Sequence, residues 1–132
     1  LNNKKIYTSS SSTLGDSLLA TGFPYLHDDR YDLSFDLFKS FYDKTRGIRR
    51  LGAAALDLCF VAMGRFDGFY EFELNSWDIA AGSLIVKEAG GLVTDWDGKK
   101  APLNGKRILA SNKRIHEEMI TILTKHKYKI FY

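Results

Sequence analysis

The stretch from residue 75 to residue 91, Asn-Ser-Trp-Asp-Ile-Ala-Ala-Gly-Ser-Leu-Ile-Val-Lys-Glu-Ala-Gly-Gly, constrains the fold most, because it reads as one helix with both ends marked. Ser76 is placed as its N-cap and Gly90-Gly91 as its stop, while Asp78 falls in the first turn, where unpaired N–H groups and the helix dipole favour a carboxylate. Small and aliphatic residues fill the middle, which predicts a helix buried in the core. Asp78 then has two readings: a helix-start residue, or a ligand as well.

The rest of the chain alternates strands and helices around that element. A short strand is expected at 5–8, before a serine run, and a buried strand in the apolar run 18–24, which Gly22 and Pro24 end. Over 28–46, Leu33, Leu37, Phe38 and Phe41 mark one helical face, between acidic residues at the start and Lys44 and Arg46 at the end. A strand at 47–51 runs into Gly52. The stretch 53–63 is apolar except for Asp57 and predicts a helix buried on most sides. At 66–74 a strand places Phe69, Glu71 and Glu73 on one face and Tyr70, Phe72 and Leu74 on the other. A strand at 92–95, a reversal at 95–98 and a strand at 107–110 follow. The last helix spans 113–125, capped by Ser111 or Asn112, with Ile115, Met119, Ile120 and Leu123 inward. The basic, aromatic tail at 125–132 takes no assignment. Alternation of this kind predicts an α/β layered architecture.

A chain of 132 residues suffices for one domain with a real core, and its longest apolar runs fall well short of the roughly 18 residues a membrane helix needs. No membrane association is expected. The net charge of +3, spread along the chain, is no nucleic-acid signature. The single Cys59 sits in an apolar run as core filler, which favours a reducing compartment and makes the cytoplasm the expected location. The first methionine is Met63, inside a predicted helix, so the chain is expected to be the later part of a longer protein.

Two stretches carry candidate chemistry. A strand bearing Glu71 ends just before the helix start bearing Asp78, and in α/β sheets ligands collect where strand ends meet helix starts. Hard carboxylate oxygens there suit Mg²⁺, which takes one or two carboxylates plus waters and phosphate oxygens. Gly52-Ala53-Ala54-Ala55 opens the other stretch: a small-residue turn at a helix start presents N–H groups to an anion or a sugar hydroxyl, and it equally serves close packing. Asp57 is expected to pair with an arginine or to cap backbone groups. His27, His116 and His126 lack ligand spacing and are expected at the surface, and Trp77 is expected to pack. No nucleophile and base pair, zinc spacing or Walker-type loop is visible.

Trp77-Asp78-Ile79-Ala80-Ala81-Gly82 followed by Glu88-Ala89-Gly90-Gly91 is similar to the C-terminal signature of the inositol monophosphatase family. Upstream, Leu19 to Pro24, Arg50 to Cys59 and Asp67 to Glu71 resemble family segments in family order, so the likeness covers about residues 1–125. It implies a layered α/β/α arrangement with a mixed sheet flanked by helices, the C-terminal half of an αβαβα fold. It also implies hydrolysis of a phosphate monoester, inositol monophosphate or a related sugar phosphate, by Mg²⁺ and an activated water, with lithium sensitivity. Asp78 would ligate Mg²⁺, Glu71 would hydrogen-bond a substrate hydroxyl, and the Gly52, Ala53 and Ala54 backbone would line the substrate pocket. Ala53 stands where the family often has Ser or Thr, and Glu73 where Gly is usual.

The family's Asp-Pro-x-Asp-Gly-Thr motif and an earlier Glu ligand are absent from residues 1–132. The expectation is therefore one C-terminal α/β domain whose metal-binding N-terminal half lies elsewhere, with no catalytic residue of its own and little activity alone. Its expected partners are the substrate, that other half and, as in relatives, a second copy in a homodimer, with no nucleic acid. The alternative is a non-catalytic binding or assembly module with the same half-fold.

Overall fold

The computed structural model describes residues 1–101, 103–104 and 106–126; most of the tail at 125–132 lies outside them. Five strands form one mixed sheet: β1 (Leu18–Thr21), β2 (Gly47–Arg49), β3 (Gly68–Phe72), β4 (Leu92–Thr94) and β5 (Arg107–Ser111), in the order β2-β1-β3-β5-β4. β1 runs parallel to both β2 and β3, while β5 is antiparallel to β3 and β4. The helices are α1 (Asp29–Tyr42), α2 (Ala54–Ala62), α3 (Ser76–Glu88) and α4 (His116–Thr124).

Strand residues alternate between the two sides of the sheet, and that alternation builds two cores. Leu19, Tyr70 and Leu109 pack with Leu33, Leu37 and Phe41 of α1 and Met119 and Leu123 of α4. Their neighbours Ala20, Phe69, Ile108 and Ala110 pack on the opposite face with Leu58 and Val61 of α2 and Ile79 and Val86 of α3. The result is three layers, α1/α4, sheet and α2/α3, the α/β layering with a mixed sheet that the sequence implied.

The connection from β1 through α1 reaches β2 on one side, and the return through α2 reaches β3 on the other. β1 is thus a point where the strand order reverses, and such points open a crevice beyond the carboxyl ends of the strands.

Several local expectations are corrected. Residues 5–8 form no strand: Thr8 N–H donates to Ala89 O at 3.1 Å, and Asn112 Nδ2 holds Ser9 Oγ at 3.0 Å and Ser11 O at 2.8 Å, so side chains and single bonds hold the segment instead of a ladder. The N-cap of α3 is Asn75, one residue before Ser76, because Asp78 Oδ2 accepts from the Asn75 N–H at 2.9 Å and closes a capping box. α3 is also covered on one side only. Ile79, Gly82, Ser83 and Val86 turn inward, but Trp77 is 76% exposed and Leu84 61%, because three layers leave the outer face of this helix unpacked. α2 likewise turns Asp57, Leu58, Val61 and Ala62 inward and leaves Leu56 exposed. β3 stops at Phe72: Glu73 takes φ +60°, leaves the strand alternation, and donates its N–H to Lys106 O at 3.1 Å.

His116 is buried, against expectation. Thr94 Oγ1 donates to Asp95 O at 2.6 Å, so it accepts from His116 Nε2–H at 2.8 Å, and Ser111 Oγ lies 2.7 Å from Nδ1. The neutral ring is fully satisfied, and burial pushes its pKa down from 6.5 to about 4. Stability from this group is complete above the ordinary value of 6.5 and is lost as pH falls toward 4, because the unfolded chain takes up the proton first. Chemical denaturation is expected to show about 2 kcal/mol less stability at about pH 5 than at neutral pH from this residue. His116→Gln should flatten that slope; equal slopes would remove His116 as its cause. His27 packs at a tilt against the ring of Tyr31, and no helix among the described residues is long and apolar enough to cross a membrane.

Candidate functional site

The parallel strands β1, β2 and β3 end at one edge of the sheet, and the segments that follow them meet there. After β1 come Gly22, Phe23 and Tyr25; after β2, Arg50, Gly52, Ala53 and Ala54; from β3 onward, Glu71, Leu74 and Asp78. With Asp57 they line one cleft of about 160 Å³. Every residue singled out from the sequence, Gly52, Ala53, Ala54, Glu71 and Asp78, is therefore on the same wall. A wider outer compartment of about 300 Å³ shares Gly22, Tyr25, Glu71 and Asp78 and adds Leu26, Arg30, Glu73 and Asn75.

The local chain explains each placement. Gly52 turns at φ +83°, a conformation that costs glycine little, and swings the chain from β2 into α2. The N-cap of α2 is Ala53, which supplies no side-chain hydrogen bond, so first-turn N–H groups stay available at the cleft. Asp78 spends Oδ2 on its own helix cap and has no hydrogen bond at Oδ1 among the described residues. Cap and ligand are thus compatible readings, one for each oxygen.

Glu71 is pushed up to about 8, chiefly by burial and next by the Asp57 carboxylate, with Arg50 opposing and Asp78 adding to the rise. Near neutrality its carboxyl is largely protonated and can donate as well as accept. Its head lies over Gly22, where any Cβ would overlap the carboxylate. Gly22→Ala is therefore expected to leave stability within about 1 kcal/mol, since the tip of a side chain can swing away from the new methyl. Chemical denaturation checks it, and a loss of several kcal/mol would mean that the Glu71 head is held rigidly over Gly22.

Asp57 differs from expectation. It is 1% exposed, and its Oδ1 has no hydrogen-bond partner. Arg50 lowers its pKa, yet burial outweighs that effect and the net shift is upward, to about 6. The signal for its place in the cleft was present in the sequence: one carboxylate in the first turn of an otherwise apolar helix that opens Gly-Ala-Ala. Gly22 and Arg50 were also missed, and nothing local in the sequence marks them.

Asp57, with a buried unpartnered oxygen, and Asp78, whose Oδ1 accepts no hydrogen bond among the described residues, face one cleft as hard oxygen donors that a divalent cation would relieve. Among the described residues no group of three His, Cys, Asp or Glu is close enough to hold a metal by itself. The wall fits Mg²⁺ as part of a shell, with water, phosphate and other protein groups completing it.

The model of the inositol monophosphatase family matches residues 1–128. The chain is 48% identical over 126 residues to the putative Nus factor SuhB of Neisseria meningitidis serogroup B, covering 96% of this chain and 48% of that protein. It is 46% identical over 119 residues to the chloroplastic phosphatase IMPL1 of Arabidopsis thaliana, covering 90% and 32%. The structure of the inositol monophosphatase from Anabaena (Nostoc) sp. PCC 7120 superposes with a TM-score of 0.87 at 40% identity, over 94% of this chain and 51% of that one. The chain spans about half the length, or less, of these relatives.

Proposed function

The chain belongs to the inositol monophosphatase family, and from that premise we propose that it forms the substrate wall of a Mg²⁺-dependent phosphomonoesterase acting on a polyol or sugar phosphate. The observation that carries this reading is the meeting of Gly52, Ala53, Ala54, Glu71 and Asp78 in one cleft at the reversal of strand order. Asp78 is the residue assigned to the metal, through Oδ1. Glu71 orients the substrate by hydrogen bonding a hydroxyl, and its raised pKa lets it donate as well as accept. The N–H groups at the start of α2 face the same ligand. Mg²⁺, when bound, supplies charge neutralisation at the phosphate and lowers the pKa of a water.

The remaining metal ligands and the catalytic groups are assigned to parts of the protein outside residues 1–132, which agrees with relatives about twice as long. A further layer packed on the outer face of α3, over Trp77, Leu84 and Ile85, belongs to the same reading. So do a homodimer, a cytoplasmic location and inhibition by lithium. The deciding experiment is phosphate release from inositol monophosphates and sugar phosphates by the full-length protein, with Mg²⁺ against chelator. Equal rates in the two conditions would overturn the proposal.

A second reading, a non-catalytic binding or assembly role, is favoured by one observation: the relative from Neisseria meningitidis is named a putative Nus factor. An Asp78→Asn protein that loses phosphatase activity yet complements a deletion strain fully would support it.

A further inference from the structure

Arg30, in the first turn of α1, reaches across the mouth of the outer compartment. Its Nη1 donates to Glu73 Oε2 at 3.1 Å, its Nε donates to both Asp28 oxygens at 2.9 Å, and its Nη2 also donates to Asp28. The guanidinium therefore joins the start of α1, beside the loop that follows β1, to the turn that follows β3. Both ends of the Arg30–Glu73 pair are about one-third exposed, and both line the compartment that Glu71 and Asp78 share.

Glu73 holds this position at a cost. Its φ of +60° lies where glycine is free and a residue with a Cβ is strained. A non-glycine residue kept in such a conformation beside a cleft needs a reason, and strain of this kind gathers at functional sites. The hydrogen bond from Glu73 N–H to Lys106 O fixes the turn that carries the side chain, and the contact with Arg30 at 3.1 Å holds the carboxylate itself.

We propose that the Arg30–Glu73 ion pair is a specificity determinant that bars substrates carrying a second anionic group and admits those whose distal part is uncharged. The inference rests on the phosphomonoesterase reading and sharpens its substrate class. A second phosphate entering the outer compartment meets the Glu73 carboxylate and finds Arg30, the arginine that lines it among the described residues, already bound on both edges by Asp28 and Glu73. It gains that guanidinium only by breaking the pair. Hydroxyl groups carry no such conflict and can use the same carboxylates as acceptors.

The test compares glucose 1-phosphate with glucose 1,6-bisphosphate in the full-length protein, wild type, Glu73→Gln and Glu73→Gly. The preference for the monophosphate, as a ratio of kcat/KM values, is expected to fall about tenfold in both variants, the worth of one freed charge-assisted contact. A ratio unchanged in both overturns the inference. So does a change in Glu73→Gly alone, which would trace selectivity to the backbone and not to the charge.

Calorimetric binding with Ca²⁺ in place of Mg²⁺ keeps the question separate from catalysis. If the wild type releases no phosphate, a shifted binding ratio still supports the ion-pair gate while the enzymatic reading falls. An unshifted ratio, or binding of neither ligand, overturns the gate.

Discussion

Replacing Asp78 by Asn in the full-length protein is expected to lower Mg²⁺-dependent phosphate release by at least about a hundredfold and to raise the Mg²⁺ concentration for half-maximal rate. The structure separates this loss from a folding defect. Asp78 works at its own helix start through Oδ2, which accepts from the Asn75 N–H at 2.9 Å. An asparagine oxygen accepts the same bond, so Asp78→Asn keeps the capping box and forfeits only the favourable charge near the helix dipole, within about 1 kcal/mol. Asp78→Ala loses the cap as well and should fall by about a further 1 kcal/mol. The expected pattern is therefore two variants equally inactive but unequally stable. Thermal unfolding and initial rates on the same samples check it. If Asp78→Asn keeps a third or more of the activity, Asp78 is a helix-start residue and no more.

The elements of this fold are legible in the sequence where a local rule has one answer. Asp28 before Leu33, Leu37 and Phe41 marks α1, and the structure places Asp28 as N-cap with all three inward. The alternation of Phe69, Tyr70, Glu71 and Phe72 fixes which face of β3 meets which core. Where two residues satisfy the same rule, the choice lies elsewhere: Asn75 and Ser76 are both good caps, and only the return bond from Asp78 selects Asn75. His116 was misplaced for a related reason. Its burial depends on hydroxyls from Thr94 and Ser111, brought to it by two different strands. Strand order is non-local too, so that β1 should stand between β2 and β3 could not be read from residues 18–21.

The same division runs through the cleft. Glu71 and Asp78 were legible because one strand end and one helix start adjoin in sequence. Gly22 was not, and Asp57 was marked only as a lone carboxylate in an apolar helix, because their roles exist only after three strand ends converge: Gly22 matters for leaving Glu71 room, and Asp57 for raising its pKa. Glu73 lies between these cases. Its departure from the glycine expected by resemblance was visible, whereas its partner Arg30, 43 residues away, was not.

The same convergence makes one buried glycine decisive for both stability and rate. Gly82 faces inward one turn after Asp78, and a Cβ built there would lie 2.6 Å from Leu58 Cβ and 2.7 Å from Leu58 Cδ1. Two effects of Gly82→Ala oppose each other. Alanine in a helix interior gains about 1 kcal/mol over glycine, while overpacking a filled core costs typically about 1–3 kcal/mol. Overpacking wins here, because the nearest atom is a Cβ fixed to the α2 backbone and Leu58 is fully buried. The helices themselves must part. Asp57 adjoins Leu58 on α2 and Asp78 precedes Gly82 on α3, so any such shift changes how the two carboxylates face the cleft. Displacements near 1 Å can cost about a hundredfold in rate. Gly82→Ala is therefore expected to destabilise by about 1–2 kcal/mol and, at temperatures where it remains folded, to lose roughly ten- to a hundredfold in kcat. Adding Leu58→Ala should not restore either quantity, since it removes Cγ and Cδ1 but leaves the Cβ contact at 2.6 Å. Full rescue by that second substitution would show that the leucine tip, and not the spacing of α2 and α3, holds the wall in register.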